Sequence, residues 1–219
     1  METEKHFILT DEAKINEKGV KLFRIKCTKT IPGVSIGEQG GFVESYENLS
    51  DNAWIGGDAE VCGNARVYGN AWIWGNARVY DNAWIWGDAW VYGNAQVYDN
   101  ARVYGNAIVS DNAQVWGNTE VKGNAWVYGE AWVYGNAWVY GDARVYGNSR
   151  VWGEAWVYDN ARVYGNACVY DNAVVYGNAW VSGNARVYDN AWLCDASYVY
   201  GEARVHDNTE VKGEAEVYE

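Results

Sequence analysis

Two histidines, His6 and His206, and four cysteines, Cys27, Cys62, Cys168 and Cys194, have the chemistry most readily used for catalysis or metal binding. Acyl transfer needs a general base, most often histidine. His6 lies near the start of the chain, and His206 takes a position that Tyr usually fills, so His206 reads as a surface substitute for Tyr. Two distant imidazoles do not supply a three-histidine zinc centre. The cysteines form no C-x-x-C pair and have no nearby histidine, which points to reduced thiols. Ser110 and Ser182 also replace Tyr and have no partnered base. Asp81, Asp99 and Asp111 read as solvated carboxylates, because a hard cation asks for about six or more converging oxygens. No G-x-x-x-x-G-K-[ST] loop is present to cradle phosphate. The expectation is no catalytic residue, no metal and no cofactor.

The charge narrows the partners. The chain of 219 residues carries a formal charge of −12. Binding to phosphate backbone or anionic lipid needs basic side chains, so neither nucleic acid nor membrane is an expected partner. The acidic excess sits in residues 51–219, with 21 Asp and Glu against 10 Lys and Arg, while residues 1–48 are nearly balanced at 8 against 7. No leader-like apolar core opens the sequence, and no run approaches the roughly 18 apolar residues of a membrane span. A cytoplasmic protein is expected.

The elements that must position any site are set by one repeat. Stepping by six from Leu49 to Val217 visits 29 positions, each Val, Ile or Leu. Two residues before each, from Ala53 to Ala215, stand 24 Ala among 28 positions, with Thr119, Ser149, Ser197 and Thr209 as the exceptions. Strand alternation puts the small and aliphatic residues on one face and the variable and aromatic residues on the other. The following Gly-Asn or Asp-Asn pair is corner chemistry, since these residues tolerate positive φ. Each hexad therefore predicts a four-residue strand and a corner. A flat meander of such strands would leave its Val face uncovered, whereas a parallel β-helix encloses it. The expected fold is all-β: a single-stranded parallel β-helix, three-sided with 18 residues per coil and left-handed, with a two-sided coil of 12 residues as the alternative. Stacked Asn side chains should form hydrogen-bonded ladders along the axis.

Residues 1–48 break the period. "FILT" and "GVKLFRIKC" read as strands, with turns at Glu17-Lys18-Gly19 and Pro32-Gly33. They predict a small N-terminal β cap over residues 1–48 that covers the first coil and fixes register, with the hexapeptide β-helix spanning 49–219. The phrases "KLFRIKCTKTI" and "GEQGGFVESYENLS", followed by runs of "GNARVYGNAWVYGDA", resemble a group of bacterial and prophage-borne hexapeptide-repeat β-helix proteins. These are sometimes labelled polymer-forming or hexapeptide-transferase-like. The resemblance covers almost the whole chain and implies the architecture; it brings no catalytic residues with it. Hexapeptide acyltransferases commonly add loops that shape a donor cleft, and here no loop interrupts the hexads.

What varies within the repeat carries the functional information. At 18 residues per coil one outward column contains Trp54, Trp72, Trp90, Trp126, Trp180 and Tyr198, and a second contains Trp84, Trp138, Trp156 and Trp192. A third is rich in Arg, with Arg78, Arg150, Arg186 and Arg204 and the single Trp132. Rings in adjacent coils should stack, with Arg between them as cation–π partners. An aromatic strip several coils long also exceeds the apolar patch a monomer normally exposes. The expected function is a non-enzymatic structural or binding solenoid, a homo-oligomer or the binder of a protein partner, acting through these columns or through the edge of the last coil. A phage-type sequestering protein with an acidic, aromatic surface and an acyltransferase-like enzyme are the alternatives.

Overall fold

The computed structural model describes residues 5–219. From Leu49 onward the chain winds into a parallel β-solenoid with three sheets, each coil giving one short strand to each sheet. Trp54 pairs with Trp72, and Trp72 with Trp90, so the coil is 18 residues and three-sided. The three sheets contain 12, 10 and 9 strands.

Most strands are shorter than the four residues the repeat predicts. Typically only the variable residue and the aliphatic one are in strand geometry, as in Trp126–Val127, while Trp84–Gly87 and Arg102–Gly105 reach four. The aromatic residue has already begun to leave the strand, because the next residue sits in the left-handed region. The ladder still continues around the corner. Trp126 N–H donates to Ala143 O at 2.9 Å, Tyr128 N–H to Val145 O at 3.0 Å, and Glu130 N–H to Gly147 O at 2.8 Å. Three backbone bonds per hexad from alternate residues leave few buried amides without a partner.

The corner explains why only two residue types occupy its first position. Gly or Asp stands there with φ between 55° and 78°, as at Asp99 (56°) and Gly117 (77°). Asp tolerates this region better than most residues because its short side chain bonds locally. Several of these carboxylates also tie one coil to the next: Asp51 Oδ2 accepts from Gly69 N–H at 2.9 Å, and Asp111 Oδ2 from Gly129 N–H at 3.0 Å. The next position builds amide ladders. Asn82 donates to Asn100 Oδ1, Asn100 to Asn118, and Asn118 to Asn136, each one coil apart at 3.0–3.3 Å.

The core is a continuous column of Ala and Val, fully buried from Ala53 to Val199. Ser149, which replaces Ala, donates its hydroxyl to Tyr146 O and stays buried at no loss of a bond.

At the N-terminal side, β1 (Phe7–Ile15) and β2 (Lys21–Cys27) form an antiparallel hairpin whose turn has Gly19 at φ 78°. β3 (Gln39–Val43) pairs antiparallel with β2 and then parallel with the strand Glu60–Val61. The hairpin is therefore the extension of the 12-stranded sheet. Close approach is needed where β3 meets the first coil: a Cβ on Gly41 would lie 2.6 Å from Ala59 O. Ion pairs fasten the hairpin to the coils beyond. Lys14 meets Glu60 at 2.9 Å, Glu17 takes both ends of the Arg78 guanidinium at 2.7 and 2.9 Å, and Lys18 reaches Asp81 at 3.3 Å. Arg78 holds the Glu17 carboxyl below the usual carboxylate range. Among the described residues no helix is long and apolar enough to cross a membrane.

Candidate functional site

The solenoid turns the sequence period into columns, so each outward residue meets the residue 18 positions away. The first expected column lies on the 10-stranded sheet as Trp54, Trp72, Trp90, Ile108, Trp126, Arg144, Arg162, Trp180, Tyr198 and Glu216. One member is corrected. Trp54 is 0% exposed, buried beneath the N-terminal segment with His6 at a ring-centroid distance of 6.3 Å, and among the described residues its indole Nε1 has no hydrogen-bond acceptor. It belongs to the core, not to the interaction surface, because the chain preceding the first coil lies over it. Trp72 is half-buried and Trp90 is 51% exposed. With Trp74 and Tyr92 they line an open, almost wholly apolar groove of about 350 Å³. Farther along, Arg144 lies over Trp126 at 5.4 Å and Arg162 over Trp180 at 4.7 Å, and Tyr198 meets Trp180 edge-on at 5.4 Å.

The second column lies on the nine-stranded sheet as Arg66, Trp84, Arg102, Glu120, Trp138, Trp156, Val174, Trp192 and Glu210. Trp138 and Trp156 stack at 5.3 Å with planes 8° apart. Lys122 reaches over Trp138 at 4.2 Å and pairs with Glu120 at 3.3 Å. Trp84, Trp156 and Trp192 are 45%, 41% and 50% exposed. Trp156, Val174 and Trp192, together with Glu154, Tyr158, Asn172 and Asn190, line a groove of about 430 Å³.

The longest stack stands at the corner positions, which the column expectation did not single out. Tyr80, Tyr98, Trp116, Tyr134, Trp152, Tyr170 and Tyr188 lie ring on ring at 4.3–5.6 Å with planes within 5°, and His206 ends the column on Tyr188 at 5.1 Å. The signal was present in the sequence, since an aromatic residue recurs there every 18 residues from Tyr80 to Tyr188. Burial by the neighbouring rings raises the phenol pKa along it, as at Tyr98 and Tyr134. These half-buried rings hold coils together and offer mainly their edges outward.

The two histidines are at opposite ends of the described chain. His6 is buried, and its Nε2–H donates to Ala53 O at 2.9 Å. His206 is exposed, with Nδ1 2.9 Å from Asp207 Oδ2. Asp189, His206 and Asp207 bring three ligand atoms within 4.8 Å of one another, a grouping the expectation of no metal passed over. Asp189 already accepts Asp207 N–H at 3.2 Å. The four cysteines are free thiols, and burial pushes the Cys62 thiol up to about 11.

The arrangement is similar to one described repeat. The YdcK beta solenoid repeat matches this chain at residues 59–75, 95–111, 101–117, 137–153, 155–170, 167–183 and 179–195. These segments lie within the three-sheeted solenoid, and the repeat with the geometry above makes the chain a β-solenoid repeat protein. No curated protein matches the sequence.

Proposed function

We propose that this chain is a non-enzymatic assembly rod, a β-solenoid that associates with further copies of itself through its outward aromatic faces. One observation carries the reading: five indoles, Trp84, Trp90, Trp126, Trp156 and Trp192, stand 41–51% exposed on two neighbouring faces of a rigid rod. Each exposed indole keeps apolar area in water that a flat partner surface would remove. The rings do not depend on one another alone for cover, since cations lie over Trp126 and Trp138 while Trp90 and Trp192 remain half open. A rod with a constant rung spacing is well suited to side-by-side contact, because every coil repeats the same surface geometry.

The positions of the histidines favour binding over catalysis. His6 spends its Nε2–H on a backbone carbonyl, and His206 stands on an exposed corner. The free thiols fit a reducing compartment.

Sedimentation velocity over a concentration series tests the proposal. The expected result is a mass that rises with concentration, and a return toward monomer when Trp90 and Trp126, or Trp156 and Trp192, are replaced by Glu. A monomer at every attainable concentration, with both Trp→Glu pairs indistinguishable from it, overturns the reading.

A further inference from the structure

The nine-stranded face has a gap in its aromatic column. Trp138, Trp156, Val174 and Trp192 follow one another on successive coils, so one short side chain separates two exposed indoles. With strands about 4.8 Å apart, Trp156 and Trp192 stand about 10 Å from each other across Val174. One further planar group fits there at about 5 Å from each ring, within the range that aromatic stacks prefer. The groove is flanked by Glu154, and its corner is acidic: Asp171, Asp189 and Asp207 succeed one another on adjacent coils, joined by Asn172 N–H to Asp189 O and Asn190 N–H to Asp207 O. A cationic planar group is therefore favoured over a neutral one.

The protein itself shows which planar cation it lays on an outward indole. Arg144, Arg150 and Arg162 cover Trp126, Trp132 and Trp180 at 5.4, 4.8 and 4.7 Å. In each case the guanidinium comes from the adjacent coil, one rung from the ring. Val174 denies Trp156 and Trp192 that neighbour.

The 12-stranded face carries the complementary column. There Arg150, Cys168, Arg186 and Arg204 follow one another, the three arginines exposed and the cysteine short. Arg186 and Arg204 are directly opposed in the ladder, a like-charge arrangement that an anionic partner relieves. Both columns belong to one solenoid and so share one rung spacing. When two rods lie side by side in the same direction, an arginine flanking Cys168 enters the Val174 gap, and a tryptophan flanking Val174 enters the Cys168 gap.

We infer that the nine-stranded face of one copy receives the 12-stranded face of a second copy, with an arginine guanidinium held between Trp156 and Trp192 beside Glu154. This rests on the self-association proposed above and names its surfaces. Because the two surfaces differ, one copy in a pair keeps its donor free and the other keeps its acceptor free. The contact is heterologous and propagates or closes as a ring.

Two variants that leave the charge unchanged test it. Val174→Trp completes the aromatic column and blocks the acceptor; Cys168→Trp fills the other gap and blocks the donor. Each variant alone is expected to raise the dissociation constant for self-association about tenfold, which is about 1.4 kcal/mol. Mixed in equal amounts they restore association, limited to pairs, because each retains the surface the other has lost. Circular dichroism and thermal melting establish that the variants fold, and Val174→Phe and Cys168→Leu replace them should either not. Association of wild type that neither variant weakens, or a mixture that associates no better than either variant alone, overturns the interlock; association that persists in that mixture leaves the Trp90 and Trp126 face standing. A wild type that is monomeric throughout overturns both.

Discussion

His6 Nε2 lies 2.9 Å from Ala53 O, so the imidazole donates to the backbone of the first coil from a position that is almost fully buried. Burial lowers the His6 pKa below 6.5, and the hydrogen bond to Ala53 opposes the shift only in part. The unfolded chain then binds a proton more readily than the folded one, so this stability is complete above the unfolded value and is lost as pH falls through the folded value. Melting temperature is expected to decline as pH drops below about 6.5. His6→Gln, which keeps an amide donor, should flatten that part of the decline; an unchanged profile removes His6 as its source.

The phenols give the opposite limb. Tyr98, Tyr128, Tyr146 and Tyr170 are raised by burial among neighbouring rings, and Tyr176 is pushed up to about 12, first by its hydrogen bond with Cys194 and then by burial. A raised folded pKa contributes stability that is present below the unfolded value of about 10 and is lost as pH rises through the folded values. Ultraviolet titration should show phenolate absorbance in the folded protein appearing well after that of the urea-unfolded chain. Coincident curves would contradict the burial of the ladder.

The corner glycines separate two costs. Gly117 has φ 77°, and a Cβ there would lie 2.6 Å from Gly135 O; Gly213 has φ 70° and open space around the same position. Gly213→Ala should cost only the left-handed conformation, about 1 kcal/mol. Gly117→Ala adds a backbone clash and should cost about 2–3 kcal/mol. Urea unfolding midpoints measure both, and equal losses would mean that the stacked coils relax freely.

Thiol labelling reads burial at single positions. Cys62 is buried with its pKa raised to about 11, whereas Cys168 is half-buried at an outward position of the 12-stranded face. Iodoacetamide at mildly alkaline pH is expected to modify Cys168 before Cys62, because the thiolate is the reactive form and must be reached by the reagent. Peptide mass mapping over time gives the order, and early loss of Cys62 would show that β1 and β2 open away from the first coils.

The unbroken hexad made the architecture readable in advance. Ala at one position and Val two later define an inner face, and the corner pair defines where the chain bends, so these local rules were enough to place Trp90, Trp156 and Trp192 outward in the correct columns. Strand length was less readable. Tyr128 has the composition of a strand residue, yet Gly129 at φ 72° draws it into the corner. Trp54 shows the limit more sharply. Its position in the repeat matches Trp72 and Trp90, and it is buried because a segment of different sequence lies over it.

The sequence by itself determined the hexad, its two faces and the members each column has in an 18-residue coil, since these follow from periodicity and from the backbone freedom of Gly and Asp; that three hexads close the coil is settled by the pairing of Trp54 with Trp72 and Trp72 with Trp90. Only the tertiary structure decided which members remain accessible. That depends on contacts between residues far apart in the chain: Glu17 on Arg78 fastening the hairpin, His6 packed by Trp54, and Arg162 over Trp180. A period places residues in a line, but exposure is set by whatever packs above that line, and no local pattern encodes it.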